Sequence, residues 1–282
     1  MNTTVNALVL TGFGLNCDYE TDYSLRQAGA DSRRIHINDL IPDASGRAEH
    51  DLDDYHILVF GGGFSWGDDH GAGVLLASRM RTHLGERLSQ FIADGKLVLA
   101  ICNGFQAVVN LGLLPGLDGD YTRREVALIN NDCGNFRDDW INLAVNRNSK
   151  CVFTRDMESI ELPIRHGEGK LYADDSILDR LSRENQIVFQ YAGPGMKPAA
   201  GAFPSNPNGS LMDIAGICDP TGRVMGMMPH PEAYNHWTNH PNWTQKEREL
   251  KLSNVSDGVR EGEGMKIFRN AVRYVRETLL KA

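Results

Sequence analysis

The sequence predicts an α/β fold, a mostly parallel central sheet flanked by helices with an antiparallel extension. Three observations carry this. Apolar runs alternate with helically periodic segments from Val5 to Ile101, those runs are apolar on both faces, and the second half is richer in strands separated by turn signals. Val5 to Leu10 reads as a buried strand closed by Thr11-Gly12-Phe13-Gly14, followed by a helix from about Asp18 to Ala28 and a short strand at Arg34 to Ile37. His56 to Phe60 is the next strand, ended by Gly61-Gly62-Gly63. Ala72 to Ile92 has helical period, and Leu97 to Ile101 returns to strand. In such sheets ligands sit beyond the carboxyl ends of the strands, where the triple glycine and Cys102 both fall.

Further along, Glu125 to Ile129, Trp140 to Val145, Ser159 to Ile164, Gln186 to Tyr191, Asp213 to Ile217 and Arg223 to Met228 read as strands of the antiparallel extension. Asn206-Pro207-Asn208-Gly209 and Asp219-Pro220-Thr221-Gly222 mark turns between them. Gly264 to Leu280 is a closing amphipathic helix, with Ile267, Ala271, Tyr274, Val275 and Leu279 at helical spacing. The polar, weakly periodic stretch at 235–257 reads as a surface insertion on one domain spanning residues 1–282.

A chain of 282 residues with 41% hydrophobic and 23% charged residues can bury a substantial core. A formal charge of −8 argues against nucleic-acid binding, and no apolar stretch is long enough to span a membrane. Met1-Asn2-Thr3-Thr4 lacks the pattern of a signal peptide. The five cysteines, Cys17, Cys102, Cys133, Cys151 and Cys218, are odd in number and widely spread, with no CxxC pair. That spacing predicts neither a disulfide framework nor a zinc cage, and a reducing cytoplasm as the location.

Cys102 ends the apolar run Leu97-Val98-Leu99-Ala100-Ile101 and is followed by Asn103-Gly104-Phe105-Gln106, a strand–turn–helix corner that presents one nucleophilic side chain. A helix amino terminus favours the thiolate. Met227-Met228-Pro229-His230-Pro231-Glu232 is a second apolar run, ending in a histidine fixed between prolines. In an extended segment Glu232 shares a face with His230 and can hold one ring nitrogen, leaving the other for the thiol. Gly61-Gly62-Gly63 lets the backbone approach a developing oxyanion, and it lacks the ending of a phosphate loop. Each motif alone also has a structural reading: a buried core thiol, a turn histidine, a tight turn. His236 and His240 have helical metal-ligand spacing without a third ligand, so no metal is expected there.

Taken together, Asn16-Cys17-Asp18, Gly62-Gly63-Phe64-Ser65-Trp66-Gly67-Asp68, Cys102-Asn103-Gly104-Phe105-Gln106, His166-Gly167-Glu168-Gly169, Asn208-Gly209-Ser210 and Gly226-Met227-Met228-Pro229-His230-Pro231-Glu232 occur in an order that resembles the glutaminase subunits of phosphoribosylformylglycinamidine synthase. These are class I glutamine amidotransferases of purine biosynthesis, with a flavodoxin-like fold, and the resemblance runs from about Val5 to Leu280. It implies Cys102 as the nucleophile that attacks glutamine, His230 as the proton carrier and Glu232 as its orienter. The main-chain N–H groups of Gly63 and Asn103 are implied as the oxyanion hole, with Gln106, Phe64 and Ser65 holding substrate. His166 and Glu168 are implied as parts of a functional loop, near the glutamine or at a subunit interface. The resemblance further implies that ammonia passes to a large formylglycinamidine ribonucleotide synthetase subunit, often bridged by a small third subunit. ATP and magnesium belong to that partner, and no cofactor is expected in this chain.

Two departures matter. Gly61 stands where the family commonly has proline, which is expected to loosen the loop and leave the oxyanion hole unformed until a partner binds. Ala100 stands where glycine is common, and its small side chain is expected to preserve the corner. Trp237 and Trp243 read equally well as partner anchors or as a staple of the surface loop. The competing functions are an amidotransferase serving another acceptor, a cysteine hydrolase or peptidase, and a non-catalytic regulator; the last has no need of an intact Cys102, His230 and Glu232.

Overall fold

The expected alternation of the first half forms four parallel strands with their helices. In the computed structural model, which describes residues 4–252 and 261–281, these are β1 (Asn6–Thr11), α1 (Asp18–Gln27), β2 (Asp31–His36), α2 (Ile37–Leu40), β3 (Ile57–Phe60), α3 (Val74–Ala93), β4 (Leu97–Ile101) and α4 (Asn103–Leu111). Every residue of β3 and β4 is buried, as central parallel strands require. α3 turns Leu76, Met80, Leu84, Leu88 and Phe91 inward at three- and four-residue spacing.

The second half supplies β5 (Ala127–Asn130), β6 (Arg137–Val145), β7 (Ser159–His166), β8 (Glu168–Tyr172), α5 (Asp175–Arg183), β9 (Ile187–Ala192), β10 (Ile214–Cys218), β11 (Val224–Met227), α6 (Trp243–Leu252) and α7 (Met265–Tyr274), the last continued by a wider turn over Val275–Leu279. The main sheet runs β2-β1-β3-β4-β11-β10-β9-β6-β7, and β5 pairs with β8 in a separate ribbon. One expectation needs correcting. The run from Arg223 to Met228 is not part of the antiparallel extension alone, because β11 lies parallel to β4, with Met227 opposite Ile101, and antiparallel to β10. Apolar runs carry no direction, so a strand at the seam reads the same either way.

That seam matters for the site. Cys102 and the segment leading to His230 leave neighbouring strands at the same end. The antiparallel half then curls back over them. Although β7 is the edge strand, its Pro163 carbonyl accepts the His230 main-chain N–H at 2.8 Å, and its Arg165 carbonyl accepts the Cys102 thiol at 3.5 Å.

The stretch from Asn235 contains more structure than its weak periodicity suggests. Helix α6 is held from outside: Lys246 donates to Glu161 on β7 at 3.0 Å. The buried His240 places Nε2 3.0 Å from the same carboxylate and packs its ring 4.6 Å from Trp140. Trp237 and Trp243 meet edge to face at 5.4 Å, both half-buried. Residues 253–257 of the expected insertion lie outside the described residues.

Candidate active site

Cys102 occupies a strained corner. Its φ is 51° and ψ −109°, a conformation unusual for a non-glycine residue, between the last residue of β4 and the first of α4. Its N–H is held by Met227 on β11 at 2.8 Å, and its carbonyl accepts the first helical bond, from Gln106 at 3.1 Å. The N–H groups of Asn103, Gly104 and Phe105 therefore precede the helical ladder, and the thiol stands at the positive end of α4. A Cβ at Gly104 would lie 2.0 Å from the Phe60 carbonyl oxygen, so the corner presses directly on β3.

His230 is 2% exposed and Glu232 is fully buried; Nδ1 of the ring is 2.5 Å from Glu232 Oε1. The segment is not extended as the sequence suggested. Pro231–Tyr234 forms a 3-10 turn, and Glu232 reaches the ring from within it. A carboxylate on Nδ1 fixes a proton there, so Nε2 is the nitrogen left to exchange one. Among the described residues Nε2 is buried with no hydrogen-bond partner. Burial alone would lower the imidazole pKa, but the Glu232 charge and the neighbouring Cys102 sulfur raise it well above the ordinary histidine value. Cys102, His230, Gly63 and Phe64 line one cavity of about 310 Å³, with Asn16, Cys17, Glu20, Phe136 and Arg165. A larger cleft of about 670 Å³, between Asn146 and Glu158, contains no imidazole.

The glycine loop faces this corner and is tied down on both sides. Gly62 O accepts from Asn16 N and Cys17 N, and Phe64 N donates to Gly14 O at 2.9 Å. Gly63 thus sits opposite Leu15 at a non-hydrogen-bonded position of an antiparallel bridge, which leaves its own N–H outside that pairing. Its φ of 147° and the backbone atoms within 2.8 Å of any added Cβ restrict the position to glycine. The buried Asn103 side chain connects loop to corner. It accepts from Ser65 N at 3.2 Å and donates to Asp68 at 2.9 Å and to Gln106 Oε1 at 3.0 Å. Burial raises the Asp68 pKa. Beyond Gly61 the loop is thus tied by bonds to the 13–17 segment and to Asn103.

Not every residue expected to hold substrate faces the cavity. Phe64 does, at 47% exposure. Ser65 lies buried behind it, and both ends of the Gln106 amide are engaged, Oε1 by Asn103 and Nε2 by the Glu168 carbonyl at 2.5 Å. Gln106 braces the site's floor. His166-Gly167-Glu168-Gly169, read as a loop, instead spans the end of β7 and the start of β8. The Asn131 amide donates to two carbonyls, so its Oδ1 faces His166 Nδ1 at 3.1 Å and the imidazole carries its proton on Nδ1. Burial, with the nearby His230, pushes the His166 pKa down to about 3. Glu168 Oε2 accepts from Ala72 N at 3.2 Å. Asn208 and Ser210 support this segment by donating to the Gly169 carbonyl.

Cys17 is the residue whose proximity the sequence concealed. Its sulfur lies 4.0 Å from His230 Nδ1. Cys17, His230 and Glu232 place ligand atoms within 4.8 Å of one another, but a metal needs about 2 Å to each donor, and the 2.5 Å approach of Nδ1 to Glu232 leaves no space between them. The Asn-Cys-Asp run was the available signal for Cys17. Nothing local marked Glu20, Phe136 or Arg165.

A family model described as a CobB/CobQ-like glutamine amidotransferase domain matches residues 4–275. The chain belongs to this amidotransferase family. It is 42% identical over 269 residues to the phosphoribosylformylglycinamidine synthase subunit PurQ of Methanococcus maripaludis, covering 95% of this chain and 96% of that one. With the subunit of the same name from Dehalococcoides mccartyi it shares 40% identity, over 97% of this chain and 98% of the relative. Among solved structures, PurLQS from Thermotoga maritima superposes with a TM-score of 0.67 at 26% identity, covering 96% of this amidotransferase and 99% of the matched chain.

Proposed function

We propose that this chain is the glutaminase subunit of phosphoribosylformylglycinamidine synthase, working through Cys102, His230 and Glu232. One observation carries the assignment of roles: Glu232 occupies Nδ1 of His230 while Nε2 is left unpaired, in the cavity that holds a thiol at a helix amino terminus. The Cys102 thiol gives its proton to Nε2, and the sulfur attacks the carboxamide carbon of glutamine. The N–H groups of Gly63 and Asn103 receive the negative charge on oxygen. His230 then returns the proton to the leaving nitrogen, releasing ammonia and a glutamyl thioester. Water, deprotonated by His230, cleaves the thioester to glutamate and restores the thiol. The thiol also lies 3.5 Å from the Arg165 carbonyl, and catalytic hydrogen bonds commonly tighten on substrate binding.

The ammonia serves a large synthetase subunit, with a small bridging subunit, and ATP and magnesium act there. No helix among the described residues is long and apolar enough to cross a membrane, and the cytoplasm is the location consistent with purine synthesis. The test is glutamate release from glutamine by the purified chain, with and without the synthetase and its nucleotide substrates. Strong stimulation by the synthetase is expected. Turnover indifferent to it would keep the glutaminase and remove the purine assignment.

A further inference from the structure

Amide hydrolysis accounts for Cys102, His230 and Glu232 but leaves two charged residues of the same cavity without a task. Glu20 and Arg165 both line it. Arg165 is fixed close to the chemistry, since its carbonyl accepts the Cys102 thiol, while its side chain is exposed. Glu20, in the first turn of α1, is near enough to Cys17 to raise that thiol's pKa. Among the described residues neither the Arg165 guanidinium nor the Glu20 carboxylate forms an ion pair with another side chain. Phe64 and Phe136 line the same cavity with their rings 6.2 Å apart, an apolar wall of the kind a short methylene chain would lie against.

One anion, one cation and an apolar wall beside a nucleophile complement an amino acid whose side chain ends in an amide. We propose that Arg165 binds the α-carboxylate and Glu20 the α-ammonium group of substrate glutamine, so that the site selects a free amino-acid amide over peptidyl or simple amides. This rests on the glutaminase reading above. A guanidinium and a carboxylate facing opposite ends of a zwitterion also fix the direction in which the side-chain amide reaches Cys102. Neither residue acts on the bond that breaks.

The test pairs each residue with the ligand group it reads. In the assembled complex, KM for glutamine is measured with the inhibition constants of γ-aminobutyramide, which lacks the carboxylate, and of glutaramate, which lacks the ammonium. Arg165→Gln is expected to weaken glutamine and glutaramate by about 10- to 100-fold, as loss of a charged hydrogen bond does, while leaving γ-aminobutyramide unchanged. Glu20→Gln is expected to weaken glutamine and γ-aminobutyramide and to spare glutaramate. In both variants kcat changes less than KM, and synthesis from free ammonia, which reports assembly, is retained. Equal losses for all three ligands, or none, would overturn the assignment. Absence of glutamate release by the unaltered complex would instead remove the glutaminase reading beneath it.

Discussion

Cys102 and Cys17 are both buried, both stand immediately before a helix and both line the cavity that holds His230. Their surroundings nevertheless give them different chemistry. Cys102 sits at a strained strand–helix corner, and in the proposed mechanism its proton goes to Nε2, the ring nitrogen that Glu232 does not engage. Cys17 has an ordinary backbone, with φ −95° and ψ 19°, and its sulfur faces Nδ1, the nitrogen already engaged by Glu232. Burial pushes the Cys17 thiol pKa up, only partly offset by His230. If Cys102 is the nucleophile and Cys17 is not, as proposed, a helix terminus and a nearby imidazole do not suffice, and the feature that separates the two is which ring nitrogen the carboxylate leaves open.

The largest effect that tests this contrast is the pair of alanine variants. Cys102→Ala is expected to reduce glutamine-dependent synthesis by the complex by on the order of 10⁴-fold or more, with ammonia-dependent synthesis intact. Cys17→Ala should cost less than about tenfold, through looser packing of the ring. Comparable losses from the two would break the comparison. A smaller effect is expected at Gly62, where a Cβ would stand 2.8 Å from His230 Cε1 and 3.0 Å from the Cys17 sulfur. Gly62→Ala displaces the imidazole and should lower kcat by about 10- to 100-fold with KM for glutamine little changed; an unchanged kcat would show that ring placement tolerates movement.

The smallest effect is on stability at alkaline pH. A thiol whose folded pKa is raised keeps its proton where the unfolded thiol loses it. Its contribution is fully present below the unfolded pKa and is lost as pH rises through the folded value. Urea midpoints measured from about pH 8 to about pH 10 should therefore fall more steeply for the native chain than for Cys17→Ala. Parallel slopes would mean that Cys17 titrates as an exposed thiol does.

The sequence made legible what depends on local order. Cys102 and His230 each follow an apolar run, and β4 and β11 carry those runs as paired strands. The Gly61 to Asp68 loop likewise follows β3, where the triple glycine placed it. What stayed hidden depends on the sheet's curvature. Arg165 and Pro163 lie far from Cys102 and His230 along the chain and across the strand order, and only the curl of β7 brings them together. α6 escaped detection because its polar sequence lacks an apolar stripe and is secured by Lys246, with His240 anchoring the preceding turn, both on Glu161. Gln106 was assigned to substrate by resemblance, whereas its amide is consumed by Asn103 and Glu168, a matter of side-chain direction that spacing does not encode.

The curl of β7 also has a colloidal consequence. An eight-residue edge strand presents unpaired peptide groups that invite pairing with other chains. Here Pro163 offers no N–H, its carbonyl is taken by His230, and the Glu161 N–H is covered by the Glu263 carboxylate at 3.4 Å. His230 and Glu263 thus cover peptide groups of a sticky edge, and the Pro163 carbonyl both blunts that edge and holds the histidine in the site.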